Sequence, residues 1–200
     1  MDSRTRKEII IKSKTKGQVI HGEYIDLYPC TLEDGGAIVV LRNQEKSRYN
    51  LNQKEPSTIE GQKKWYEGYL QRNDEICWCI CSKVETIIGV IRLYNINLDG
   101  ASCNQGSFII DEAYAMHGPY ALEAEIITLD FVFDSLQIDK VFNDNRVENR
   151  NMNSVSRRIG FQFIEEFERK GARYNLFELN KGNYKRTNLI ELLDKWKERD

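Results

Sequence analysis

One stretch, Ser107 to Leu136, limits what this chain can become more than any other. It opens as a short apolar strand, Phe108 to Ile110, and crosses an irregular loop with a Gly118-Pro119 step. It then reads as a helix with Leu122, Ile126, Leu129, Phe133 and Leu136 at helical spacing. A strand that feeds a helix through a loop leaves the first N–H groups of the helix unpaired and adds the positive end of its dipole. Such an end takes a phosphate or pyrophosphate without a Lys or Arg, although many strand-to-helix connections bind nothing. No G-x-G-x-x-G follows the strand and no G-x-x-x-x-G-K-[ST] occurs, which excludes the dinucleotide-fold and P-loop versions of the site.

The remaining elements surround that stretch. Val19 to Tyr28 reads as a first strand. Thr31 is placed to cap a helix that carries Ile38, Val39 and Leu41 inward and ends near Arg42-Asn43. Residues 44–56 are polar and read as a long loop, and long loops in compact domains are often binding loops. Ser57-Thr-Ile-Glu60 is a capping box for a second helix with Trp65, Tyr66, Tyr69 and Leu70 on one face. Ile76 to Ser82 and Thr86 to Leu93 are two strands, and Gly89 within the second signals a bulge or a close backbone approach. Cys103 to Asp111 is the strand that feeds the central loop, and Lys140 to Val147 is a fifth strand. Asn149 to Ile159 is a short helix closed by Gly160. Phe161 to Arg169 and Ala172 to Leu179 form a hairpin over Lys170-Gly171. Thr187 is placed to cap a last amphipathic helix carrying Leu189, Leu192, Leu193 and Trp196.

This order predicts an α/β chain with a mixed sheet, antiparallel in its first half. The Cys103 and Lys140 strands, joined through a helix, should be parallel neighbours. A change from antiparallel to parallel pairing lets neighbouring strands splay, and a splay beside a helix N-terminus is a ligand slot. The expected organisation is a basic arm over 1–17, one domain over 18–181 and a C-terminal amphipathic helix over 182–200. The arm holds six Lys or Arg and reads as a solvated tail or an extra edge strand.

Composition removes several function classes. The formal charge of −2 gives no global field for nucleic acid. No apolar run approaches the roughly 18 residues that span a bilayer. The charged N-terminus lacks the apolar core of a secretory signal, so a cytoplasmic location is expected. Cys77, Cys79 and Cys81 alternate on one side of a strand and, with Cys30 and Cys103, read as buried free thiols rather than a metal site. No metal is expected.

With that order in place, the chain resembles the GNAT-type N-acetyltransferases over roughly residues 19 to 181. More narrowly it looks like the branch that holds ribosomal-protein alanine acetyltransferases and nucleotide-amino-sugar acetyltransferases. Tyr120-Ala-Leu-Glu-Ala124 is similar to the family's helix start, and Leu41-Arg-Asn43 to a motif in its first helix. Glu148-Asn149, well before Gly160-Phe161, is also similar. The resemblance implies a single-domain GNAT-like mixed sheet whose parallel central pair is splayed around acetyl-CoA and flanked by helices. It implies a cofactor site over Ile109, Ile110, Met116, His117, Gly118, Pro119, Tyr120, Ala121 and Asn149. Three positions depart from the family. Met116 stands where Gln or Arg is usual, Pro119 where Gly is usual, and Ser156 where many members have a Tyr that protonates the leaving thiolate.

The implied chemistry is attack of a neutral amine on a thioester. It needs alignment, a backbone N–H at the developing oxyanion, here Ile109 or Ile110, and a group that takes the amine's proton. Asp111, Glu112 and His117 are the candidate bases, and each also fits a turn or a helix start. Ser156 can orient a water at the sulfur, and the thiolate needs little help near neutral pH. Arg42, Asn43, Arg48 and Tyr49 border the polar loop and suit a diphosphate-linked sugar. The expected partner is a small-molecule amine acceptor, with a nucleotide-linked amino sugar first. A protein N-terminal acetyltransferase and an acyl-CoA-binding module without turnover stand as alternatives. A homodimer is left open, and no membrane or nucleic-acid partner is expected.

Overall fold

The computed structural model describes residues 1–197. Its strands are β1 (Ile20–His21), β2 (Ile25–Pro29), β3 (Ile76–Ser82), β4 (Ile87–Tyr94), β5 (Cys103–Ile110), β6 (Lys140–Arg146), β7 (Gln162–Arg169) and β8 (Ala172–Asn180). They form one eight-stranded sheet in the order β1-β2-β3-β4-β5-β6-β8-β7. Every pairing is antiparallel except β5 with β6. That parallel ladder covers only Cys103–Val141 and Asn104–Phe142 before the two strands part. The splay expected from the strand–helix–strand order is therefore present.

Apolar cores form on both faces of the sheet. On one face, β-strand residues such as Trp78, Ile80 and Val141 pack with α1 (Ser3–Lys12), α5 (Tyr120–Asp130), α6 (Arg150–Ile159) and α7 (Arg186–Lys197) through Ile10, Leu129, Ile159 and Leu189. On the other, Cys77, Cys79, Cys81, Val90 and Ile109 pack under α2 (Gly35–Asn43) and α4 (Ile59–Gln71) through Ile38, Leu41 and Tyr69. The thiols are buried as expected, with Cys30 Sγ 3.1 Å from Cys77 and 3.4 Å from Cys79. Among the described residues no helix is long and apolar enough to cross a membrane.

Several local expectations are corrected. Residues 3–12 are a helix rather than a tail or strand, because Arg6 is buried and its guanidinium donates to the carbonyls of Leu98, Leu136, Gln137 and Met1. A guanidinium ringed by carbonyl acceptors is satisfied without a carboxylate. Thr31 does not cap α2, since Asp34 is the N-cap and accepts from the Thr31 N–H and hydroxyl. Part of the 44–56 loop is a short helix, α3 (Glu45–Asn50). Leu70 points outward, 48% exposed. Thr187 lies inside α7, which begins at Arg186. The last three residues of the expected C-terminal helix, 198–200, lie outside the described residues.

Candidate active site

The splay is shaped by a bulge in β5. Val90 pairs with Ile109 but Arg92 pairs with Gly106, so Ser107 and Phe108 together oppose Ile91. Two residues against one bend a strand and free a backbone group from the ladder. Ser107 takes a φ of 49°, a conformation in which a residue other than Gly is uncommon. Gly89, flagged by the sequence, is the close approach on the partner strand. A Cβ there would overlap the Ile109 carbonyl oxygen.

Beyond β5 the chain makes a compact turn. Asp111 Oδ1 accepts from the Ala113 N–H at 2.8 Å, and its carbonyl accepts from Tyr114 and Ala115. Glu112, Met116 and His117 are exposed. Pro119 is the N-cap of α5. The first helical bond runs from the Glu123 N–H to the Pro119 carbonyl at 2.9 Å, so the amides of Tyr120, Ala121 and Leu122 precede it. A proline at the cap does not remove any of those three donors. Glu123, in the same first turn, would repel an anion, but its carboxylate turns away. It accepts from the N–H groups of Glu23, Tyr24 and Ile25 at 2.6, 2.8 and 2.8 Å. A Cβ on Gly118 would stand 2.6 Å from the Tyr120 ring.

On the other bank, Asn149 caps α6, its Oδ1 accepting from the Met152 N–H at 3.3 Å. Ser156 is buried and accepts from the Nδ2 groups of Asn143 (3.3 Å) and Asn145 (3.0 Å), both on β6 just past the point where the strands part. Beneath the splay, Gln105 of β5 donates to Glu125 of α5 at 2.7 Å. Burial pushes the Glu125 carboxyl up to about 7, against the lowering effect of the Gln105 bond.

On the α2/α4 face a cavity of about 360 Å³ opens against the bulge. Its wall includes Arg42, Ser57, Trp65, Cys77, Arg92 and Ser107. No Asp, Glu or His among the described residues lines it. Arg92 pairs with buried Glu75 at 2.5 Å, which also takes Arg72 at 2.5 Å. Among the described residues Arg42 has no carboxylate partner there, and it makes long contacts to Ser57 (3.3 Å) and Gln53 (3.5 Å). Burial pulls its guanidinium below the usual range, and neighbouring Arg92 adds to that. A second groove of about 360 Å³ has Asn43, Glu45, Arg48, Tyr49, Lys54 and Arg146 in its lining. Arg146 lies 4.0 Å over the Tyr49 ring.

The structure thus sorts the residues singled out in the sequence. Arg42 faces the cavity by the bulge, whereas Arg48 and Tyr49 line the outer groove. The Asn43 side chain is occupied as a latch, its Oδ1 accepting from the Ser57 N–H and its Nδ2 donating to the Ser57 carbonyl. Asp111, Glu112 and His117 do not line the cavity. Arg92, Trp65 and Ser107 do, and sequence reasoning missed them as site residues. Only their strand and helix register, once the bulge is placed, brings them together.

The chain matches the family described as an acetyltransferase (GNAT) domain over residues 25–162. A comparison with curated proteins finds no match. Among solved structures, a GCN5-related N-acetyltransferase from Brucella melitensis aligns with a TM-score of 0.73 at 18% identity, covering 92% of this chain and 86% of that one. FdhC, a nucleotide-linked sugar GNAT in its apo form, aligns at 0.74 and 20% identity over 88% and 97%. Spermidine N-acetyltransferase from Vibrio cholerae, in complex with CoA and spermine, aligns at 0.73 and 17% identity over 82% and 99%.

Proposed function

The chain belongs to the GNAT acetyltransferase family, an N-acetyltransferase that uses acetyl-CoA, and from that premise we propose that its acceptor is the amine of a nucleotide-linked amino sugar. The observation that carries this reading is the charge of the cavity wall. Arg42 stands there without a carboxylate partner, beside Arg92, and no acidic side chain among the described residues lines the space. Two of the structural neighbours act on acceptors of opposite character, a nucleotide-linked sugar and a polyamine. A polyamine would meet two guanidiniums, and a basic peptide would fare no better. An anionic acceptor gains a charge-assisted partner for Arg42. The outer groove adds Arg48, Lys54 and Arg146 against one carboxylate, Glu45, around the Tyr49 ring, and that excess of positive charge suits a diphosphate and a stacked base.

The residues present fit acetyl-CoA. The amides of Tyr120, Ala121 and Leu122 suit its pyrophosphate, and Ile109, Ile110, Met116, His117, Gly118 and Pro119 frame that end. The Asn149 Nδ2 is the donor left to reach a pantetheine carbonyl. When bound, the cosubstrate supplies an activated acyl carbon. Ile109 and Ile110 stay in register with Val90 and Gly89, so the bulge amides at Ser107 and Phe108 are better placed to meet the developing oxyanion. Both lone pairs of Ser156 are filled by Asn143 and Asn145, so its hydroxyl proton is free to be donated toward the departing sulfur. On this reading Asp111, whose Oδ1 accepts from the Ala113 N–H, serves the turn.

The test is a thiol-release assay over nucleotide-linked deoxy-amino sugars, N-terminal peptides and spermidine. The sugars should turn over fastest, and Arg42→Met should lower their kcat/KM by about tenfold or more. Preference for a peptide or for spermidine would overturn the acceptor assignment.

A further inference from the structure

The cavity wall leaves one step without a residue: nothing in it takes the proton of the incoming ammonium. Register brings one carboxylate, Asp144, to the face beside it. Asn104 of β5 and Phe142 of β6 are parallel partners and so share a face. Side chains alternate along a strand, which puts Asp144 on that face as well. Tyr94 of β4 pairs with Asn104 and joins them. It lies across Gly106, where a Cβ would stand 3.0 Å from Tyr94 Cε1 and 3.1 Å from the phenol oxygen. Tyr94 and Asp144 therefore stand on opposite banks of the opening, next to the Ser107 bulge and on the cavity side. Burial, and after it the Asp144 charge, push the Tyr94 phenol up, which marks the two groups as neighbours.

Two other carboxylates near this face also carry ion pairs, and Asp111 is remote. Glu75 is shared by Arg72 and Arg92, and Glu178, also on this face, pairs with Lys140 at 3.2 Å. Asp111 lies four residues past Ser107, roughly 13 Å further along an extended chain. Asp144 is itself held by Arg169 of β7, whose guanidinium rests 4.3 Å from the Tyr174 ring of β8. Around Asp144 the charged and titratable groups are thus Arg169, Tyr174, Tyr94, Arg92 over the Tyr94 ring at 4.8 Å, and Arg146 two residues along β6.

We propose that Asp144 is a catalytic residue that holds the acceptor's amino group at the splay and takes its proton. The ammonium gives one proton to the Asp144 carboxylate, which later passes it to water. The freed nitrogen lone pair forms the C–N bond, the C–S bond breaks, and the second nitrogen proton ends on the thiolate. This assignment rests on acetyl transfer to an amine but not on which amine.

The test is Asp144→Asn in the full chain, which keeps a hydrogen-bonding group but cannot take a proton, beside Arg169→Gln, which removes the ion pair and keeps the carboxylate. The probes are a nucleotide-linked deoxy-amino sugar, glucosamine and an N-terminal peptide. For every amine used, Asp144→Asn should lower kcat about a hundredfold or more, while calorimetry finds the Kd for acetyl-CoA within about threefold of the parent. Its rate should climb about tenfold per pH unit up to the pKa of the amine, whereas the parent and Arg169→Gln level off earlier. If the nucleotide-linked sugar is idle but another amine shows this pattern, the acceptor reading fails and the Asp144 role holds. Equal losses in both variants with unchanged pH profiles would show a structural ion pair and overturn the proposal. Absence of thiol release with all three amines would contradict both.

Discussion

Gly89 and Ile109 meet backbone to backbone: a Cβ on Gly89 would overlap the Ile109 carbonyl oxygen and come within 2.9 Å of Ile110 Cδ1. This contact sets the depth of β5 against β4 just past the Ser107 bulge. Relief of that overlap would have to come from the backbone, which yields less readily than a flexible side chain. Gly89→Ala should therefore cost about 1–3 kcal/mol, as overpacking does, and weaken acetyl-CoA binding as β5 shifts. Urea unfolding measures the first effect and calorimetry the second. Unchanged stability would mean that β5 is free to move.

Glu125 gives a pH dependence with a definite sign. Its carboxyl is raised from 4.5 to about 7 by burial, so the native state holds its proton where the unfolded chain has lost it. Between those two values the native state binds more protons than the unfolded state, and stability falls as pH rises, by about 1.4 kcal/mol per unit. Above the folded value the loss is complete. Glu125→Gln keeps an acceptor for Gln105 and removes the titration. Its unfolding free energy should be flatter from pH 5 to pH 8 and higher than the parent's at pH 8. Parallel curves for the two proteins would show that Glu125 titrates normally.

Ser156→Ala should reduce kcat by about tenfold or less, since a thiolate leaves readily near neutral pH. It also strips Asn143 and Asn145 of their shared acceptor, which should cost about 1–3 kcal/mol of stability. A thousandfold loss of rate with an unchanged Tm would make Ser156 central to the chemistry instead.

The sheet and its parallel pair were legible in the sequence because strand, helix and strand in succession admit one handedness, and the pairing from Cys103 to Asn104 follows it. The helix at residues 3–12 was not legible. Its anchor is Arg6, and the carbonyls that hold it come from residues 98, 136 and 137, far along the chain. The site divided in the same way. The end of α5 could be read locally, since a loop into a helix states its own chemistry. Arg92, Ser107 and Asp144 could not be. In the sequence, Asn143-Asp-Asn-Arg146 looks like a solvated edge, and only the splay of β5 from β6 and the β7–β8 hairpin set Asp144 beside Arg169 at the opening.

The claim on which the account stands is that the pyrophosphate of acetyl-CoA rests on the free amides of Tyr120, Ala121 and Leu122. Ala121→Glu tests it with little risk to the fold, because a carboxylate in the first turn of a helix favours the helix while competing for its dipole. Gly118 is a poorer choice, as any Cβ there would meet the Tyr120 ring. Acetyl-CoA should be titrated by calorimetry into the parent and into Ala121→Glu, with Tm recorded for both. The Tm should be unchanged or raised and binding weakened by about tenfold or more. Equal affinity in the two proteins would contradict the claim and place the cosubstrate elsewhere.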